Sequence, residues 1–382
     1  MKKISSILLV FGILIPIQTM RAQTWTYPKR ITWTVENSYA PEVAVDSNKR
    51  IHVVWEDYKS GDYAIYYKRS TDGGVSWSSS KRFTWHTQNS ASPVIAADSS
   101  DTLHVLWCDY SKYDWEIYYK RSVDGGLSWS STKRLTWGTG DSSYPAVTVD
   151  TSDNIHIVWN EGAHGNPEIY YKKSTNGGLV WSKSKRITWT TGESMYPAIT
   201  TYSGNSVHVV WQDDTPGQIT IYHRKSSDGG NTWGKTKRLN WYSEFSEHPV
   251  IAEDSNHRIH VLWEKLTPGN HEILYKKSLD GGTSWNPTQR LTWTSSDSEC
   301  PRILADSIDN LHVFWCDEAP GNSDIYYKKS TNAGSSWTTQ RLTWTPESSY
   351  SPAATTDSSN KLYLVWHDSL PGNPEIYFKK EK

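Results

Sequence analysis

The feature that most constrains this chain is a stretch that returns at a fixed interval. Ser70-Thr71-Asp72-Gly73-Gly74-Val75-Ser76-Trp77 reappears at 122–129, 174–181, 226–233, 278–285 and 330–337, each copy 52 residues after the last. All copies keep the pattern Ser-x-Asp/Asn-x-Gly-x-x-Trp. A period of this length marks stacked supersecondary units, none of which can bury its apolar face alone.

Four further landmarks recur seven times. Arg-x-Thr-Trp begins at Arg30, Arg82, Arg134, Arg186, Arg238 (with Asn240 in place of Thr), Arg290 and Arg341. A proline follows at Pro41, Pro93, Pro145, Pro197, Pro249, Pro301 and Pro352. An apolar run such as Ile51-His52-Val53-Val54-Trp55 comes next, and then Ile65-Tyr66-Tyr67-Lys68 or a variant of it. Each landmark is a short run of β-branched and aromatic residues bounded by Gly, Pro, Asn, Asp and Ser, which is strand chemistry. One unit therefore predicts four strands: A at 41–46, B at 51–56, C at 64–70 and D at 77–85. No window has helical periodicity, and the short connections make neighbouring strands antiparallel.

Four-stranded antiparallel units at this period predict an all-β propeller, whose edges are protected by radial repetition. The last unit supplies strands A to C and stops, whereas Trp25 to Trp33 carry the spacing of a strand D alone. The expected architecture is a seven-bladed β-propeller closed by its N-terminal strand. The blades run about 39–85, 91–137, 143–189, 195–241, 247–293, 299–344, and 350–379 plus 24–33, forming a single domain over 23–382. Six copies of the opening motif are what a seven-bladed ring leaves when its closing blade is split between the termini. Three sevenfold columns account for every tryptophan of the 22 except Trp115. Packing between twisted sheets is the expected role of those columns.

Residues 1–22 predict an export signal: Lys2 and Lys3, an apolar core at 7–17, and a polar tail ending in Ala22. The expectation is an exported protein, secreted or held in the periplasm or at the cell surface, with no membrane span after signal removal. Formal net charge is −1, so nothing favours nucleic acid or an anionic membrane. Three cysteines cannot form a disulfide framework. Cys300 and Cys316 are placed near opposite ends of one hairpin, where geometry decides whether they pair.

In the repeated motif, the Asp72 carboxylate is suited to accept bonds from turn N–H groups, and Gly74 permits a positive φ. Ala333 falls at the variable position. The pattern resembles the Asp-box, or BNR repeat, of the sialidase superfamily of β-propellers, and the repeats cover essentially all of the chain after the leader. The resemblance implies boxes at the C–D turns, on the face away from the ligand, with Asp72, Asp124, Asn176, Asp228, Asp280 and Asn332 in structural roles. It implies a fold and not one activity. Sialidases bind a substrate carboxylate with three arginines and use an Asp acid with a Tyr–Glu nucleophile pair. Here Arg30-Ile31-Thr32 lacks the family's proline, and its arginine recurs in every unit, so no catalytic residue is carried over.

The opposite, top face receives the D–A and B–C loops. Asp57, Asp109, Glu161, Asp213, Lys265, Asp317 and Asp368 stand there at the end of strand B, as sugar-binding or catalytic carboxylates or as caps of their own turns. Asymmetric chemistry needs broken symmetry. Glu42 and Arg302 break it after the strand A proline, Lys265 breaks the carboxylate ring, and Glu244, Glu247, His248 and Glu299 decorate nearby loops. Trp115 offers an aromatic face for a sugar ring. The candidate ligand residues are thus Arg302, Lys265, Glu42, Glu247, Trp115, Asp57 and Asp317. The histidine column at His52, His104, His156, His208, His260 and His312 is spread one per blade, which predicts packing and no metal or other cofactor. The resulting reading is a non-catalytic, sialidase-like binding module with a glycan as ligand. An exo-glycoside hydrolase of sialidase type, or a scaffold for an envelope or extracellular protein, are the alternatives.

Overall fold

The computed structural model describes residues 25–382 except 60, 86–88, 112–113, 163–164, 203–204, 242–244, 320 and 371; the predicted leader and Glu244 lie outside the described residues. Seven four-stranded antiparallel sheets form, each ordered A-B-C-D. In the first, A is Ser38–Val45, B is Ile51–Lys59, C is Asp62–Ser70 and D is Lys81–Arg82. The seventh is made by Ser349–Thr356, Leu362–Asp368 and Glu375–Lys380, with Lys29–Arg30 from the other end of the chain as its outer strand. Lys29 pairs with Phe378 and Arg30 with Tyr377, so the N-terminal strand closes the ring. No helix among the described residues is long and apolar enough to cross a membrane.

Two strands depart from the sequence expectation. Strand A begins three residues before its proline, because a bulge absorbs that proline: Tyr39 pairs with Glu56 and Glu42 with Val54, leaving Ala40 and Pro41 opposite Trp55. A proline has no N–H to give, so a bulge is where a strand tolerates it. Strand D is cut from nine expected residues to two, because side chains take over the pairing. The Thr84 hydroxyl accepts the Ile65 N–H at 3.0 Å, and the Arg82 Nε donates to the Thr84 carbonyl at 2.5 Å. This is the local reason for the Arg-x-Thr motif.

The apolar core lies between blades. Ile187 and Tyr171 of the third blade pack with Val207, Val209 and Trp211 of the fourth, and Ile31, Ile376 and Phe378 of the closing blade pack with Ile51 and Trp55 of the first. The strand B tryptophans are fully buried there, as at Trp55 and Trp159. The Arg-x-Thr-Trp tryptophans are not: Trp33, Trp85, Trp137, Trp189, Trp241, Trp293 and Trp344 are 63–75% exposed. For this column the packing role expected from periodicity is corrected. These rings follow the outermost strand, where no neighbouring sheet covers them.

The histidine column is internal. His52 Nδ1 meets the Tyr67 hydroxyl at 2.8 Å and its Nε2 meets Asp46 at 3.0 Å, with burial holding the imidazole below its ordinary pKa. A neutral ring thus donates to Asp46 and accepts from Tyr67. Tyr67 in turn lies under the next blade's Asp-box, where a Cβ on Gly126 would stand 1.7 Å from its hydroxyl. The second glycine of the motif is required by that close approach as well as by its φ of +82°. In the box, the Gly74 N–H donates to Ser70 Oγ, while the Ser76 hydroxyl and backbone N–H both donate to Asp72 and hold its carboxyl well below its usual range. Ala333 has φ +52°, so that position does carry a steric cost for a side chain. The three cysteines are free thiols. Glu299 pairs with Cys316, which sets Cys300 beside Cys316 and not at the far end of the hairpin.

Candidate functional site: the axial pocket

Innermost strands from all seven sheets converge on a pocket of about 310 Å³, lined by the residues around each strand A proline. Strand A bulges place the residue before the proline at positive φ, as at Tyr144, Tyr196 and His248. The exposed N–H of that residue is taken by the preceding blade: Ser92 donates to Glu56 at 2.6 Å, His248 to Gln212 at 3.0 Å and Cys300 to Glu264 at 2.7 Å. Burial pushes the Glu56 carboxyl up to about 7, against the pull of the Ser92 bond.

The pocket wall is uneven. On one side Arg302 Nη2 donates to Glu42 Oε1 at 3.0 Å, joining the sixth blade to the first across the seventh. Burial raises the Glu42 carboxyl above its usual range, and the Arg302 charge and hydrogen bond oppose that rise. Elsewhere on the wall an aromatic arc forms. Tyr144 and Tyr196 lie with centroids 4.3 Å apart and hydroxyls 3.2 Å apart, and His248 meets Tyr196 edge-on at 4.7 Å. His248 Nδ1 is 3.0 Å from Glu264 Oε2. Burial lowers the imidazole pKa, but the bond and charge of Glu264 outweigh it, and the net shift is upward. A sugar fits this chemistry: tyrosine faces for its ring, and a guanidinium for a hydroxyl or an acidic substituent.

Sequence reasoning placed Arg302 and Glu42 in the candidate site, and the structure brings both to the pocket wall and to each other. The other candidates stand elsewhere. Asp57 is buried, accepting from Trp55 Nε1 at 3.2 Å and Ser38 Oγ at 3.3 Å, and burial raises it to about 6. Asp317 accepts from Trp315 Nε1, Ser298 Oγ and the Ala319 N–H of its own turn. Both carboxylates tie strands A and B together, and Asp317 also caps its B–C turn. Lys265 pairs with Ser246 and Glu247 with Glu264 in the fifth sheet, and neither candidate lines the pocket. Trp115 leans on Tyr110 at 5.5 Å, with its backbone N–H on Asp141.

Tyr144 and Tyr196 were missed, because aromatic residues beside a strand proline read as strand filling. A signal was available: those positions hold Ala40, Ser92 and Ser351 in other blades. The structure also gathers His271, Asp297 and Glu299 with ligand atoms within 4.8 Å of one another, a group whose chemistry would suit a cation. Asp297 already accepts the His271 backbone N–H at 2.6 Å and lies 3.1 Å from its Nδ1, which accounts for the cluster.

A family profile described as a BNR repeat-containing family member matches residues 82–298, more than half of the chain. None of the curated proteins matches the sequence. Among solved structures, an ulvan lyase of polysaccharide lyase family PL25 is similar at TM-score 0.67 and 10% identity, over 92% of this chain and 95% of that one. The α-L-arabinanase of Penicillium chrysogenum, complexed with arabinobiose, is similar at 0.57 and 15%, over 94% and 98%. The Hadza microbial sialidase Hz136 is similar at 0.55 and 15%, over 87% and 76%. At these identities the likeness is one of fold.

Proposed function

The chain belongs to the BNR repeat-containing family, and from that premise we propose that it is an exported propeller that binds carbohydrate in its axial pocket without turning it over. The observation that carries this reading is the pairing of an aromatic arc, Tyr144 and Tyr196, with the Glu42–Arg302 ion pair in one concave site on the ring axis. The solved structures named above are those of a polysaccharide lyase, an arabinanase bound to arabinobiose and a sialidase, which supports a sugar as ligand. Glycoside hydrolysis usually takes two carboxylates flanking the bond. Among the described residues lining the pocket Glu42 is the carboxylate, and it is engaged with Arg302. Export rests on the pattern of residues 1–22 and is checked by sequencing the N-terminus of the protein recovered from its native host.

The test is a glycan array followed by calorimetry on the hits. Binding at the axial pocket is expected with one ligand per pocket, and this binding is lost in Tyr196→Ala and Arg302→Ala. An intact ring that retains no glycan removes the proposal. A second reading, an exo-glycoside hydrolase, draws on the raised pKa values of Glu42 and His248 in one pocket. It requires product release from a fluorogenic glycoside panel.

A further inference from the structure

We infer that the groove between the outer strands of the first and second blades is a separate binding site for an acidic saccharide, centred on Trp85. Seven tryptophans stand exposed on the outer rim, and Trp85 is the most exposed of them at 75%.

Broken symmetry singles out the first blade. In five blades the rim arginine is paired with the acid just before the strand C isoleucine: Arg30 with Glu375, Arg134 with Glu116, Arg186 with Glu168, Arg290 with Glu272 and Arg341 with Asp324. Arg238 has the Thr220 hydroxyl at that place. The first blade has Ala64 there. Among the described residues, Arg82 therefore keeps its bond to the Thr84 carbonyl and its position 5.2 Å from the Trp85 ring, with no carboxylate paired to it.

The groove beside it, about 720 Å³, is lined by Lys59, Lys81, Arg82 and Lys120 together with Trp85 and Tyr66, and by no carboxylate among the described residues. Lys68, Lys172 and Lys379 reach back to the carbonyl just after strand D of the preceding blade. Lys120 does not; it donates to Ser130 in its own blade. Four cations beside an exposed indole match a sugar ring that stacks on Trp85 and sets a carboxylate or sulfate on Arg82. The whole chain carries a net charge of −1, so this concentration of positive charge is local.

The experiment is calorimetric titration of the full chain with oligogalacturonate, with a sulfated oligosaccharide, with a neutral oligosaccharide of equal length, and with anionic lipid vesicles. Trp85→Ala removes the stacking face. Ala64→Glu supplies Arg82 with the partner that five other blades have, so the fold has a precedent for it while the groove loses its free guanidinium. Either charged sugar is expected to bind, more weakly as salt rises. Both variants weaken it roughly tenfold or more, the loss expected for one charge-assisted contact. Arg302→Ala leaves this binding unchanged, which separates it from the axial pocket. The two charged arms distinguish a uronate from a sulfate ligand. The inference is overturned if neither charged sugar binds, if the neutral sugar binds equally, if vesicles bind in their place, or if wild-type affinity persists in both Trp85→Ala and Ala64→Glu.

Discussion

The two faces of the ring are made from the same strands, yet they differ in how strictly each blade repeats its neighbour. At the Asp-box face, His52, His104, His156, His260 and His312 each sit between a buried tyrosine and an aspartate, at nearly constant distances. Four of these tyrosines support the glycine turn of the next blade, as Tyr119 does for Gly178 and Tyr275 for Gly334, while Tyr327 meets Trp25 of the closing blade. At the axial pocket the corresponding positions differ from blade to blade: Glu42, Val94, Ala146, Ala198, Val250 and Arg302. Repetition at one end serves the ring as a whole, because every blade must fit the next. Variation at the other end is permitted where a side chain faces the cavity, as at Glu42 and Arg302.

Substitutions at the two ends should therefore separate stability from binding. The largest expected effect is Gly126→Ala. Its Cβ would overlap the Tyr67 hydroxyl, and φ is +82°. A loss of roughly 3 kcal/mol in urea unfolding is expected from left-handed strain plus overpacking, and unchanged stability would show that the blades tolerate slack.

His223 gives the next effect. It stands where five other blades have Tyr, stacked on His208, and burial holds it down at about 3, helped by Lys237 and Lys225. Its folded pKa is depressed, so its contribution is complete above the unfolded value near 6.5 and is lost as pH falls towards about 3. His223→Tyr should remove that sensitivity, reducing the fall in stability by about 1.4 kcal/mol per pH unit across the window. Denaturation series at several pH values between those limits check it, and parallel slopes for variant and parent would rule it out.

Arg302→Ala should have the smallest effect on the fold, about 0.5 kcal/mol or less, since the pair it breaks is half-exposed. A large drop in melting temperature would mean that the axial ion pair fastens the ring, and the contrast between the two faces would collapse.

Strand order, blade count and ring closure were legible in the chain because each rests on a period, and a period survives without coordinates. The role of the repeated arginine was legible in kind: sevenfold recurrence marked it as structural before its bond to the Thr84 carbonyl was visible. The carboxylates at the end of strand B were harder. Turn chemistry pointed to capping, but their bonds to the strand B indoles depend on side-chain direction in the folded sheet.

By itself, then, the sequence determined the unit, its number and the turn that closes it, since Gly, Pro and Asp act through local backbone geometry. It also marked Glu42 and Arg302 as departures from the repeat. Only the tertiary structure decided that these two meet across an intervening blade, that Tyr144 and Tyr196 join them in one pocket, and that one tryptophan column is exposed while another is buried. The physical reason is common to all three. Periodicity fixes a residue's place along its blade, whereas its neighbours across the axis and at the rim are set by how seven blades close around a centre.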